Sequence, residues 1–265
     1  MSDLISNLAL KIRDFIKFKN SLGIEYKTGL YYLKQLDKYN YEHGNYYDLK
    51  KDITENWAMQ HANKSTTGDR SWVSPIREFG RYLQSIGLKD AYVLDGRFTI
   101  QRYHAEVYLM SDNEIQIFFK ECDSYVLRKK ISARAYVFPA LYRLLYCCGA
   151  RCGEVRKLKC TDVHLDKGYV DILQAKAHRD RRLFLSDELI DYLKCYDTAI
   201  SKCSPSREYF FPGGHGGICS TTAISANFRN IWISAGLKRD GKVKSRAYDF
   251  RHHFASANIM RCFHI

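Results

Sequence analysis

Apolar residues recur every three or four positions through most of this chain, and only one short stretch alternates in type as a half-buried strand does. That pattern confines the fold to a mainly α class with one small β element. Leu4, Leu8, Ile12, Phe15, Ile16 and Leu22 mark a first helix over 4–22, ended at Ser21-Leu22-Gly23. Tyr31, Leu33, Leu36, Tyr39 and Tyr41 mark a second before His43-Gly44-Asn45. Ile53, Trp57 and Ala58 open a third after Asp52, and Trp72, Val73, Ile76, Phe79, Leu83 and Ile86 a fourth. Further on, Ser111-Asp112-Asn113-Glu114 has the form of a capping box, and a longer apolar helix is expected from Ala133 to Cys148. The strand signal is Tyr169-Val170-Asp171-Ile172-Leu173, answered by Arg182-Leu183-Phe184-Leu185 across a charged turn, which predicts a single hairpin. Helices return at about 186–202, at 222–235 and from 247 onward.

Between Gly87 and about Tyr108 the periodicity fades, so residues 89–108 read as a linker between a helical domain at 1–88 and a second domain at 109–265. Charge divides unevenly across that boundary. Residues 1–110 carry 16 Lys and Arg against 13 Asp and Glu, whereas residues 111–265 carry 26 against 16, within a total formal charge of +13. Such an excess favours a polyanionic partner, because each phosphate neutralised releases condensed counterions. The bases sit among aromatics and glycines and not on one long amphipathic helix, which points to nucleic acid and away from a membrane surface. MSDLISNLALKIRDF has no secretion-signal pattern, and the apolar run from Val137 to Ala150 is broken by Arg143 and too short to span a bilayer. A soluble, cytoplasmic protein is expected. The nine cysteines form no Cys-x-x-Cys pair, which suits a reducing compartment. Cys147, Cys148, Cys152 and Cys160 cluster but lack the two close pairs of a zinc site, so no metal and no other cofactor is expected.

Three cations stand out by context: Arg151 in GARCGEVRKL, Lys176 in QAKAHRDRRLFL and Arg251 in YDFRHHFA. Taken singly, each reads as a surface cap or a solvated turn residue. In this order, with Glu154 three residues after Arg151 and Tyr248-Asp249-Phe250-Arg251-His252-His253-Phe254-Ala255 near the end, they resemble the tyrosine recombinase (phage integrase) family. That family carries Arg-x-x-Glu after a glycine-bearing turn, a Lys on a β-hairpin, and His-x-x-Arg followed by His and Phe-Ala. The segments YFFPGG (209–214) and DFIKFKNSLGIEY (14–26) resemble its other parts, so the likeness covers nearly the whole chain.

The resemblance implies a SAM-like helical core-binding domain followed by a catalytic domain of the DNA breaking-rejoining fold, with a C-terminus that is incomplete. It implies that Arg151 and Arg251 clamp the non-bridging oxygens of a five-coordinate phosphorus, a task suited to the forked guanidinium. Lys176 would deliver a proton to the leaving 5′ oxygen, and Glu154 would orient Arg151. Tyr248 stands where the family usually has His or Lys; its phenol cannot shuttle protons near neutral pH but can donate a hydrogen bond to phosphate. His252 is expected to be structural. Fourteen residues follow Arg251 and none is a tyrosine, so the family's nucleophile is not among them. Arg128, Lys129, Lys130, Arg134, His178, Arg179, Arg181, Lys238, Arg239, Lys242, Lys244 and Arg246 are candidates for gripping the DNA backbone. Double-stranded DNA and other recombinase protomers are the implied partners, with a monomer expected in solution. The alternative is a naturally short, non-catalytic DNA-binding protein. A metal-dependent nuclease is disfavoured, since neither a phosphate-cradling glycine loop nor a close carboxylate cluster is present.

Overall fold

A computed structural model describes residues 4–64, 70–98, 107–128, 133–173, 180–214, 216–237 and 244–263. The chain divides into two compact units, residues 1–103 and 104–265.

The first unit is built from α1 (Ala9–Ser21), α2 (Lys27–Glu42), α3 (Lys51–Lys64) and α4 (Val73–Ser85). Their apolar stripes meet in one core of Leu8, Ile12, Phe15, Leu33, Leu36, Trp57, Trp72, Ile76, Phe79 and Leu83. Phe15 lies at its centre, edge-on to Tyr26 and tilted against Phe79 and Tyr82. The first helix starts later than its periodicity predicts. Asp37 on α2 takes the backbone N–H of Ile5 at 2.6 Å and the hydroxyl of Ser6 at 2.6 Å, so the chain before Ala9 is held as a turn. Leu4 and Leu8 remain buried, as the spacing requires.

Residues 89–98, which read as part of a linker, lie against this core with Ala91, Leu94 and Phe98 buried in it. Tyr92 donates its N–H to the Leu49 carbonyl at 2.9 Å. Gly80 makes the close approach possible, because a Cβ there would stand 2.4 Å from the Tyr92 carbonyl oxygen.

The second unit contains α5 (Asp112–Arg128), α6 (Ala133–Cys148), the short α7 (Cys152–Val155), a sheet, then α8 (Asp187–Cys203), α9 (Thr221–Ser234) and α10 (Asp249–Phe263). Helix α6 is apolar nearly all round because α5, α8 and α10 all pack on it. Phe118, Tyr142, Phe228, Trp232 and Phe250 form an aromatic cluster in this core. The capping box forms as expected: Ser111 N–H donates to Glu114 at 2.8 Å and Glu114 N–H to the Ser111 hydroxyl at 3.3 Å. Ser186 and Ser220 cap α8 and α9 by accepting from Leu189 and Ala223 N–H.

In place of a two-stranded hairpin there is a three-stranded antiparallel sheet of β1 (Val163–His164), β2 (Tyr169–Ile172) and β3 (Arg181–Phe184), in that order. Two residues are too few to show alternation, which is why β1 left no sequence signal. Val170 and Ile172 face the core, Tyr169 and Asp171 the other side. Among the described residues no helix is long and apolar enough to cross a membrane.

Candidate functional site

The site is organised by the turn that ends α6. Gly149 adopts φ +57°, and a Cβ on it would stand 2.3 Å from Cδ1 of Phe254, so both the backbone and the space call for glycine. Two residues later Arg151 is extended and opens α7. Arg251 on α10 donates a hydrogen bond from Nη1 to the Gly149 carbonyl. Residues three apart on a helix share a face, so Arg251 and Phe254 both dock on Gly149. Two arginines a hundred positions apart are thereby brought to the same turn.

Helix α10 is held there by its other side chains. Phe250 is fully buried against Phe119 and Phe228, and His253 stacks on Tyr146 with Nδ1 3.2 Å from the Met110 carbonyl. Tyr248, 43 % exposed, precedes the helix with its ring edge-on to His252 at 5.2 Å. Beside it opens a cleft of about 330 Å³, floored by Ile224 and Phe228 and bordered by Arg229 and Arg246.

Glu154 is the hinge of the electrostatics. Its side chain is only 9 % exposed, and its carboxylate accepts from Arg151 twice, from the backbone N–H at 3.0 Å and from Nη1 at 2.8 Å. Arg181, the first residue of β3, donates to it from Nη2 at 2.6 Å and from Nη1 at 3.2 Å. Burial by itself would raise the carboxyl's pKa; the hydrogen bonds from Arg181 and Arg151 outweigh it and bring the group down to about 2. It stays ionised at any physiological pH.

The other residues singled out in the sequence fall differently. Arg181, a candidate for gripping a DNA phosphate, is paired with Glu154, its side chain 32 % exposed. Arg246 is half exposed and turned back on the buried Asp249, to which it gives its backbone N–H at 2.7 Å and Nη2 at 3.3 Å. Lys244 is exposed. Arg128 and Arg134 sit at the end of α5 and the start of α6, with side chains outside the described part. Lys176, Lys129, Lys130, His178, Arg179, Lys238, Arg239 and Lys242 lie outside the described residues. Sequence reasoning missed Arg181 and Asp249 as partners of the site and the Gly149 carbonyl as the seat of Arg251. Only Asp249, three residues after Arg246 at a helix start, left a usable spacing signal.

The family model described as "Phage integrase family" matches residues 109–261, which include Arg151, Glu154, Tyr248 and Arg251. The chain belongs to the phage integrase family. Among curated proteins, this integrase family chain is 26 % identical to a tyrosine recombinase of Pseudothermotoga lettingae, over 69 % of the chain and 58 % of the relative. It is also 26 % identical to the tyrosine recombinase XerC of Lactobacillus delbrueckii subsp. bulgaricus, over 71 % of the chain and 61 % of the relative. The chain spans about three-fifths of the length of these relatives. Among solved structures, a lambda integrase (75-356) dimer bound to a COC′ core site matches with TM-score 0.60 at 15 % identity, over 94 % of this chain and 88 % of that one. XerH site-specific recombinase bound to its difH substrate matches with TM-score 0.57 at 19 % identity, over 91 % and 70 %. These likenesses establish the mainly helical tyrosine recombinase fold with its small sheet.

Proposed function

We propose that this integrase family chain is part of a site-specific DNA recombinase that binds duplex DNA and, in the whole protein, cuts and rejoins strands through a 3′-phosphotyrosyl intermediate. The observation that carries the reading is that Arg251 seats on the carbonyl of the Gly149 turn, the turn from which Arg151 leads into α7. Two fixed guanidiniums on one turn suit the oxygens of a phosphoryl group whose charge grows in the transition state. Tyr248 adds a hydroxyl donor, Glu154 holds Arg151, and Lys176 serves as general acid. Residues 109–265 are the catalytic domain and residues 1–88 the helical domain that completes the grip on DNA. The lambda integrase and XerH structures were solved on DNA, and one lambda integrase structure is a tetramer bound to a Holliday junction, which supports DNA and further protomers as partners.

Fluorescence anisotropy with duplex DNA across a salt series tests the binding half. Affinity is expected to fall steeply with salt. Arg151→Ala and Arg251→Ala are each expected to weaken duplex binding by less than about threefold, since the clamp acts on the transition state. A collapse of binding in either folded variant would count against that role. Residues 252–265 offer no tyrosine, so the polypeptide of residues 1–265 is expected to form no denaturant-resistant adduct on a nicked duplex; an adduct would refute this.

A further inference from the structure

We infer that Arg181 is a positioning residue for phosphate at this site: by occupying Glu154 it keeps the Arg151 guanidinium open to an incoming phosphate oxygen. The inference rests on the phosphate-binding reading above and deepens it. Glu154 meets Arg181 with both of its oxygens, at 2.6 and 3.2 Å, and meets the Arg151 side chain with one, at 2.8 Å. Arg151 therefore spends one terminal N–H on the protein and remains 42 % exposed. Arg181, at 32 % exposure, is the more withdrawn of the two.

The consequence is both geometric and electrostatic. An isolated Arg–carboxylate pair closes fork to fork and is neutral, with the donors facing the carboxylate. Two guanidiniums on one carboxylate leave a net positive charge, and here the excess is on the more exposed partner. Without Arg181, Glu154 is free to take Arg151 through both oxygens, and the anion-receptive cluster becomes a neutral pair. Glu154 is thus a shared anchor, and the strand that carries Arg181 sets how much of Arg151 remains for a ligand.

The test follows the Arg151 side-chain N–H signals by NMR, assigned through their loss in Arg151→Lys, during titration with inorganic phosphate at constant ionic strength. In the wild type these signals are expected to move with phosphate. In Arg181→Gln the apparent affinity at Arg151 is expected to fall by about fivefold, the scale of one charge-assisted contact. Arg182→Gln removes a neighbouring charge from the opposite face of β3, where Arg182 pairs with Asp171, and is expected to stay within about twofold of wild type. A folded Arg181→Gln that titrates like wild type overturns the inference, and so does an equal loss in Arg182→Gln, which would reduce the effect to net charge. Should Arg181→Gln not fold, Arg181→Lys decides: a smaller weakening supports the role, and unchanged titration overturns it. If wild-type Arg151 ignores phosphate altogether, the phosphate reading itself fails and takes the inference with it.

Discussion

Asp37 in the first unit, buried, and Glu154 in the second, with 9 % of its side chain exposed, are both carboxylates met by several donors, and they are satisfied in opposite ways. Asp37, with no exposed surface, is filled by uncharged donors: the N–H groups of Ile5 and Ser6 and the Ser6 hydroxyl. Its charge is used up in closing the chain before α1 onto α2. Glu154 is filled by two guanidiniums that both reach solvent. One carboxylate ends a local accounting of hydrogen bonds; the other leaves positive charge facing outward. The difference separates a group that stabilises a fold from a group that prepares a surface for an anion.

The comparison can be broken most forcefully at Asp37. Asp37→Ala leaves the buried Ser6 donors and the part-buried Ile5 N–H without their acceptor and is expected to destabilise the first unit by about 3 kcal/mol, read from urea unfolding. The phosphate response of Arg151 is expected to be untouched; a change there would mean that the two carboxylates are not independent. Gly149→Ala comes next, at about 2 kcal/mol, from a positive φ on a residue with a Cβ and from the collision with Phe254. Hydrogen exchange is expected to show α10 loosened while α1–α4 keep their protection.

A smaller effect is read at Glu154 by acid. The folded-state pKa of Glu154 is depressed to about 2, below an unfolded value of about 4.3, so its contribution is fully present above that unfolded value and is lost as pH falls towards 2. Wild type is expected to lose about 1 kcal/mol more than Glu154→Gln between about pH 5 and 2.5, the figure being discounted for screening at the partly exposed guanidiniums. Parallel stability curves for the two proteins would contradict this. Smallest of all, Tyr248→Phe is expected to change stability by less than about 0.5 kcal/mol, since the residue is exposed and the ring is kept. A larger loss would show its hydroxyl at work in the fold.

The helices were legible because each buries a stripe against a core, and periodicity records burial. The first turn of the expected α1 was not legible, because Asp37, a residue on another helix, decides it through hydrogen bonds. Residues 89–98 lack a period for a similar reason: Ala91, Leu94 and Phe98 drop into the core singly from an irregular segment. At the site, Arg151, Glu154 and Arg251 were readable through their order along the chain. The link from Arg181 to Glu154 joins a strand to a helix start 27 positions away, and a backbone carbonyl such as that of Gly149 has no letter in a sequence. The charge pattern therefore named the cations without saying which were already engaged.

The docking of α10 on the Gly149 turn also bears on how such a chain can change over generations. The spacing of the two site arginines is set by one carbonyl and one aromatic ring, and not by the length of the intervening polypeptide. A single residue inserted between Gly149 and Arg151 would alter that spacing at once. The length of chain between the arginines is thus free to vary where the Arg181–Glu154 pair and the core stay in place, and is fixed at this three-residue turn.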